Sequence, residues 1–90
     1  MQVEWSARSL KDLARHVRYV HRSNPRAAVK IALRIREAAH LLATHPFMAR
    51  AGVEAGTREW PVSGLPYLIV YVPIGDGIRI AHIDHFKQRR

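Results

Sequence analysis

The residue types best suited to chemistry in this sequence are arginine and histidine. Arg58, Arg79 and His85 would suit the cleavage of RNA without a metal, because guanidinium groups stabilise a pentavalent phosphate and an imidazole relays a proton near neutral pH. An even spacing separates Arg79 from His85, so a regular strand would place both side chains on one face. These three are therefore candidate catalytic residues if the protein is a ribonuclease. Without catalysis, Arg50, Arg58 and Arg79 would instead contact a target or a nucleic acid.

A second set of basic residues has helical spacing near the N-terminus. At about 100° per residue the set falls within roughly an 80° arc, and we call it the basic ridge: Arg8, Lys11, Arg15, Arg18 and Arg22. Like charges at this spacing repel by about 0.2–0.5 kcal/mol per pair unless an anion meets them. The basic ridge is either a solvated face or a contact surface for an acidic protein or a nucleic-acid backbone.

Other chemistries find little support in the residue spacing. The sequence has six histidines, but His82 and His85 would point to opposite faces of a strand, and pairs five residues apart do not stack on a helix. The parity that His82 shares with Ile78 and Ile80 predicts a half-buried side chain with one hydrogen bond. Neither a phosphate-binding glycine loop nor a serine in a nucleophile context is present. We therefore expect no metal and no other cofactor.

Length, charge and composition limit the class of protein. The 90 residues suffice for one small domain over 1–90, which would bury only about 60–65% of its unfolded surface and gain from a permanent partner. Lysine and arginine exceed aspartate and glutamate by 15 to 7, a formal net charge of +8, which favours an acidic partner. Cysteine is absent, as in many proteins of reducing compartments. With no signal-peptide layout or apolar span, we expect a cytoplasmic protein without membrane contact.

The first half of the chain predicts a strand and two helices. Residues 2–5 alternate polar and apolar types, and Ser6 can cap a helix that begins at Ala7. The apolar stripe of that helix comprises Leu10, Leu13, Ala14, Val17 and Val20. Asn24 and Pro25 suit the start of a second helix, which ends near residue 44. The short link makes the two helices antiparallel neighbours.

The second half predicts a loop followed by three strands. Residues 47–56 have no steady period and read as a loop, whereas 57–62, 67–72 and 78–85 have strand patterns separated by turns. The segment 67–72 is apolar throughout, which indicates the centre of the sheet. The order of elements is therefore βααβββ. We predict an α+β fold in which a helical hairpin packs on a small, mainly antiparallel sheet.

In order, several short motifs resemble the RelE/ParE family of toxins from type II toxin–antitoxin modules. The similar segments are Val3-Glu4-Trp5-Ser6, Asp12-Leu13, His45-Pro46, Ala49-Arg50-Ala51-Gly52, Gly56-Thr57-Arg58-Glu59, Pro66-Tyr67-Leu68-Ile69-Val70-Tyr71 and Ile83-Asp84-His85. The resemblance covers essentially the whole chain. It implies a cytoplasmic, growth-inhibiting toxin that an acidic antitoxin protein neutralises in a hetero-oligomer.

The family has two branches, one of ribosome-dependent mRNA endoribonucleases and one of DNA gyrase poisons. Arg58 resembles the strand arginine shared across the family, and His85 resembles the histidine near the end of its last strand. The terminal tyrosine and lysine-rich loop of many ribonuclease members are missing, since no tyrosine follows Tyr71. This absence favours ParE-like action on gyrase. The alternatives are a RelE-like ribonuclease acting on ribosome-bound mRNA and a small basic nucleic-acid-binding module.

Overall fold

The computed structural model describes residues 2–88 as two helices against one sheet. The elements are β1 (Val3–Trp5), α1 (Ala7–His21), α2 (Pro25–Thr44), β2 (Arg50–Ala51), β3 (Arg58–Pro61), β4 (Tyr67–Ile74) and β5 (Gly77–His85), followed by a 3₁₀ turn (Phe86–Gln88). The strand order is β1-β5-β4-β3-β2; β1 runs parallel to β5, and all other neighbours are antiparallel. The predicted α+β fold with a helical hairpin is confirmed.

One strand lies where a loop was expected. Residues 47–56 include β2, whose Arg50 and Ala51 pair with Glu59 and Arg58 of β3. The prediction of an unbroken loop is therefore wrong by one short strand. The six elements of the predicted order βααβββ are all present in that order, with β2 added between α2 and β3. A strand of two residues has no periodicity to detect, because its existence depends only on pairing with β3.

The helix boundaries follow from side-chain caps. The Ser6 hydroxyl accepts a hydrogen bond from the backbone N–H of Ser9, and the Asn24 side chain accepts one from Ala27, with Pro25 in the first turn. Both caps satisfy amide groups that have no partner inside the helix. Only residues 22–24 separate the two helices, so α1 and α2 are antiparallel neighbours, as predicted.

The core lies between α2 and the sheet. From α2 it takes a stripe of small and branched residues: Ala28, Ile31, Ile35, Ala39, Leu42 and Ala43. β4 occupies the centre of the sheet, and Tyr67, Ile69 and Tyr71 from its helix-facing side are all buried. The prediction of a central, apolar strand is confirmed, because β4 is covered on both faces over residues 67–71.

The buried face of α1 is more polar than its apolar stripe predicts. Ser9, Asp12 and His16 are buried, whereas Leu10 is 52% exposed. The polar face of α1 is explained by the outer edge of β5. Beyond Ile80 this edge has no strand partner, because β1 ends at Trp5, opposite Ile80. Backbone groups at a buried edge need other partners.

Side chains of α1 and of its N-cap residue supply those partners. The Ser6 hydroxyl donates to the carbonyl of Ala81 at 2.7 Å, and the Asp12 carboxylate accepts from the N–H of Ile83 at 3.0 Å. The Nε2 atom of His16 donates to the carbonyl of Ile83, also at 3.0 Å. We call Ser6, Asp12 and His16 the edge residues. Because these polar side chains set which face of α1 is buried, Leu10 and Ala14 lie at the surface, although the apolar stripe predicts both to be buried.

A β-bulge in β5 reverses the direction of its side chains. Val70 pairs with His82 but Tyr71 pairs with Ile80, so Ala81 has no partner residue of its own on β4. Because the bulge adds one residue to β5, Ile80 and Ile83 both enter the core although an odd number of positions separates them. The even spacing between residues 79 and 85 therefore does not place them on one face. The expectation that Arg79 and His85 share a face is wrong. For the same reason His82 does not lie beside Ile80; it is buried on the opposite face, where its Nδ1 donates to Asp84 at 2.7 Å.

Replacing Asp12 should destabilise the fold. Asp12→Ala leaves the Ile83 N–H buried without an acceptor, so we expect a loss of about 1.5–3 kcal/mol in the free energy of unfolding. Asp12→Asn retains one acceptor and should lose less. The matched control Glu37→Ala, at an exposed position of α2, should change the free energy by less than about 0.5 kcal/mol. Urea unfolding of the three variants measures this, and equal stability of Asp12→Ala and the control would contradict the account of the β5 edge.

Candidate functional site

Arg58 holds the segment that follows α2. Its Nη1 atom donates to the carbonyls of Phe47 at 3.1 Å and Ala49 at 2.7 Å, and its guanidinium lies 5.0 Å from the centre of the Phe47 ring. The hydroxyl of buried Tyr71 donates to the carbonyl of Pro46 at 2.7 Å. Burial raises the pKa of the Tyr71 phenol, which keeps it a hydrogen-bond donor. Residues 46–49 are thus fixed by two side chains from the sheet.

Exposed apolar and cationic side chains lie at the β2–β3 edge of the sheet. Phe47 packs beside Arg58 on the face that carries Tyr71, whereas Arg50 lies beside Glu59 on the opposite face. Phe47 is 70% exposed and Val53 is 84% exposed, and we call the set the edge patch: Phe47, Met48, Arg50, Val53 and Arg58. Buried Glu59 accepts from the N–H of Val53 at 3.3 Å and lies 3.6 Å from Nε of Arg50. The segment is therefore tied to the sheet at residues 46–49 and at Val53. The edge patch extends around the edge of the sheet, with Phe47 beside Arg58 on one face and Arg50 on the other.

Arg79 lies on the other face of the sheet. Its Nε atom is 3.2 Å from a carboxylate oxygen of Glu4 on the neighbouring strand, and both side chains are about half exposed. An exposed pair of this kind contributes little to stability. Arg79 therefore remains open to a partner, on a surface that the helices do not cover.

His85 belongs to a ring cluster beside α1. Its ring centre lies 5.5 Å from that of Tyr67 and 6.4 Å from that of His16, and its Nδ1 atom accepts from the N–H of Lys87 at 3.0 Å. Burial lowers the pKa of His16, with partial compensation from the hydrogen bond to Ile83. Burial also raises the pKa of Tyr67. His16 is therefore a neutral structural group at neutral pH.

The three candidate catalytic residues do not converge on one site. Arg58 is aligned with Tyr71 of β4, whereas His85 is aligned with Tyr67. Four residues along a strand correspond to about 13 Å, and β4 lies between the two strands that carry them. Arg79 is on the opposite face. No single phosphate can contact these three side chains in this arrangement.

All five residues of the basic ridge are exposed. One buried carboxylate borders the ridge: Asp12 lies 3.2 Å from Nη2 of Arg15 and 3.9 Å from Nε of Arg8. The side chains of Lys11, Arg18 and Arg22 form no ion pair among residues 2–88. The ridge therefore keeps most of its positive charge.

A groove along the outer side of α2 was not predicted from the sequence. Two adjoining clefts of about 580 and 470 Å³ share Leu33, Arg36 and His40 in their walls. Exposed Val29 and half-buried Trp5 add apolar surface, while the rim carries basic residues from α2: Arg26, Lys30, Arg34 and Arg36. The sequence feature that could have indicated this groove is the apolar pair at positions 29 and 33, which lies outside the buried stripe of the helix.

A toxin family model and two curated proteins match this chain over nearly its whole length. The family model for the ParE toxin of the type II toxin–antitoxin system parDE matches residues 3–90. The chain belongs to the ParE toxin family. The toxin RelE2 of Caulobacter vibrioides is 39% identical to it over 85 residues, covering 93% of each protein. Y4kP of Sinorhizobium fredii is 31% identical over 88 residues, which are 98% of this chain and 91% of Y4kP.

The fold of this ParE-family toxin is shared with a solved structure. A chain from the chromosomal ParDE toxin–antitoxin system of P. aeruginosa superposes with a TM-score of 0.83 at 22% sequence identity, over 94% of this chain and 95% of that one. The protein is thus the toxin of a type II toxin–antitoxin system. Neither of its helices within residues 2–88 has the length and apolar character to span a membrane.

His16 should give the stability of this ParE-family toxin a pH dependence. Because burial holds the folded pKa below the ordinary value of 6.5, the unfolded chain takes up a proton first as the pH falls. The contribution of neutral His16 is therefore complete above pH 6.5 and declines as the pH falls towards the folded pKa.

Urea unfolding at about pH 7.5 and about pH 5.5 measures this effect. The wild-type protein should lose more stability between the two values than His16→Gln, in which an amide can still donate to Ile83. Equal losses in the two proteins would contradict the assignment of His16 as a buried neutral group.

Proposed function

We propose that this toxin inhibits growth by binding DNA gyrase, without making or breaking a bond through its own side chains. The observation that carries the proposal is the separation of Arg58, Arg79 and His85 over two faces and both ends of the sheet. General acid–base cleavage of RNA needs its donors within hydrogen-bond reach of one phosphate. The missing terminal tyrosine, typical of many ribonuclease members, supports the same conclusion.

The edge patch is the surface that we assign to the gyrase contact. Protein interfaces are enriched in aromatic residues, methionine and arginine at their centre, and the patch combines Phe47, Met48 and Arg58. Its backbone is already fixed by Arg58 and Tyr71, so binding requires little ordering of the loop. Arg50 at the margin and Arg79 on the neighbouring face add positive charge for an acidic surface of the target.

The groove along α2 is the surface that we assign to the antitoxin. Its floor is apolar and its rim is basic, which fits an amphipathic segment that carries carboxylates on its polar side. The net charge of +8 favours association with such an acidic protein. The groove also explains the exposed Val29 and Leu33, which a partner in a toxin–antitoxin hetero-oligomer would cover.

Purified toxin tests the gyrase proposal directly. We expect it to block supercoiling of relaxed plasmid by gyrase and to leave ribosome-bound mRNA intact, and His85→Ala should retain full inhibition because the imidazole takes no part. Cleavage of mRNA on ribosomes, lost in both His85→Ala and Arg58→Ala, would overturn the proposal in favour of the ribonuclease.

Two exposed valines test the assignment of surfaces. Val53→Asp places a carboxylate in the edge patch, and Val29→Asp places one in the groove; both positions are more than half exposed, so folding should be unchanged. We expect Val53→Asp to lose gyrase inhibition at least about tenfold while binding the antitoxin normally, and Val29→Asp to show the reverse, since a buried unpaired charge at an interface costs more than about 1.4 kcal/mol. Titrations against gyrase and against the antitoxin measure both effects. Loss of both activities in either variant would contradict the separation of the two surfaces.

A further inference from the structure

We propose that the basic ridge of α1 binds the phosphate backbone of duplex DNA. One part of this inference rests on the gyrase proposal: in that case the ridge contacts the DNA segment that gyrase holds during its reaction. The binding itself requires no gyrase. It would give the toxin a second contact with its target complex, separate from the edge patch.

The charge pattern of α1 carries the inference. The ridge places five cations on an exposed face, and Lys11, Arg18 and Arg22 have no ion pair within the described chain. The neighbouring acids are the buried Asp12 and the half-buried Asp84, which line a cleft with Arg8, Lys11 and Arg15. From Arg8 to Arg22 the helix axis extends about 21 Å, or about six base pairs of B-DNA. Such a row repels itself in the free protein and is relieved when it meets a row of phosphates.

The composition of the ridge favours a nucleic acid over a protein. Protein interfaces have an apolar centre with few charges, whereas Leu13, Val17 and Val20 of α1 pack towards the core. Leu10 is exposed but lies outside the arc of the ridge. Tyr19 flanks the ridge and is 74% exposed; its hydroxyl can contact a phosphate or a sugar, as tyrosine does in protein–DNA interfaces. An acidic protein partner fits the α2 groove better, since that groove has an apolar floor.

The ridge is held in place and stays accessible. Asp12 fixes Arg8 and Arg15 at one end while its own position is set by the hydrogen bond from Ile83. None of the five ridge residues lines the two clefts of the groove. An antitoxin bound in the groove would therefore leave the ridge open, so the toxin–antitoxin complex should bind DNA through the same face.

Fluorescence anisotropy with the full chain and a labelled 20-base-pair DNA duplex of arbitrary sequence tests the proposal. The ridge variant is Lys11→Ala/Arg18→Ala/Arg22→Ala. The matched control is Arg26→Ala/Lys30→Ala/Arg36→Ala, which removes three exposed cations from α2 and so has the same net charge. Both sets of positions are exposed, and far-ultraviolet circular dichroism verifies that the helices remain.

We expect wild-type and control proteins to bind with a slope of log K against log salt of about −4.5, the value for about five phosphate contacts. The ridge variant, which keeps Arg8 and Arg15, should bind at least about tenfold more weakly at about 0.1 M salt, with a slope of about −1.8. Equal losses in the ridge and control variants would overturn the proposal, because net charge alone would then explain binding. Tighter binding of a duplex RNA of the same length would also overturn it.

The same proteins separate this proposal from the gyrase proposal. If gyrase is inhibited but the ridge variant binds DNA as the control does, only the ridge assignment fails. If the ridge variant loses DNA binding while wild type leaves gyrase unaffected, the ridge assignment stands and the gyrase proposal fails.

Discussion

The outer edge of β5 is the constraint on which the rest of this structure depends. β1 covers that edge only as far as Ile80, and the edge residues Ser6, Asp12 and His16 replace the missing strand over Ala81 and Ile83. Because backbone groups buried without partners are costly, α1 must dock with a polar strip against the sheet. That orientation directs the basic ridge outwards and brings His16 beside the ring of His85.

The bulge at Ala81 divides the functional surfaces. It directs Ile80, Ile83 and His85 towards the helices, and it leaves Arg79 paired with Glu4 on the opposite face. In this arrangement Arg58, Arg79 and His85 do not meet at one phosphate. We propose three separate contact surfaces instead: the edge patch, the α2 groove and the basic ridge. Each differs from the others in its balance of apolar and cationic groups, so each suits a different partner.

Local rules suffice for much of this fold. The caps at Ser6 and Asn24 and the apolar run of β4 each depend on near neighbours in sequence, and all three lie as predicted. What sequence reasoning missed depends on pairing between distant segments. The bulge, the two-residue β2 and the burial of Asp12 follow from the register of β5 against β4 and from the early end of β1, which no periodicity encodes. The sequence predicts Arg58 as a catalytic or contact residue, but its two hydrogen bonds to the chain after α2 appear only in three dimensions.

The most direct test of the account is controlled expression of the toxin in growing bacteria, with bulk mRNA integrity and the DNA-damage response followed in the same culture. A toxin that acts by binding gyrase should leave mRNA intact while DNA breaks accumulate and the cells form filaments. Rapid fragmentation of mRNA with arrest of translation, before any DNA damage, would contradict it and would identify a ribonuclease whose catalytic residues come together only on the ribosome.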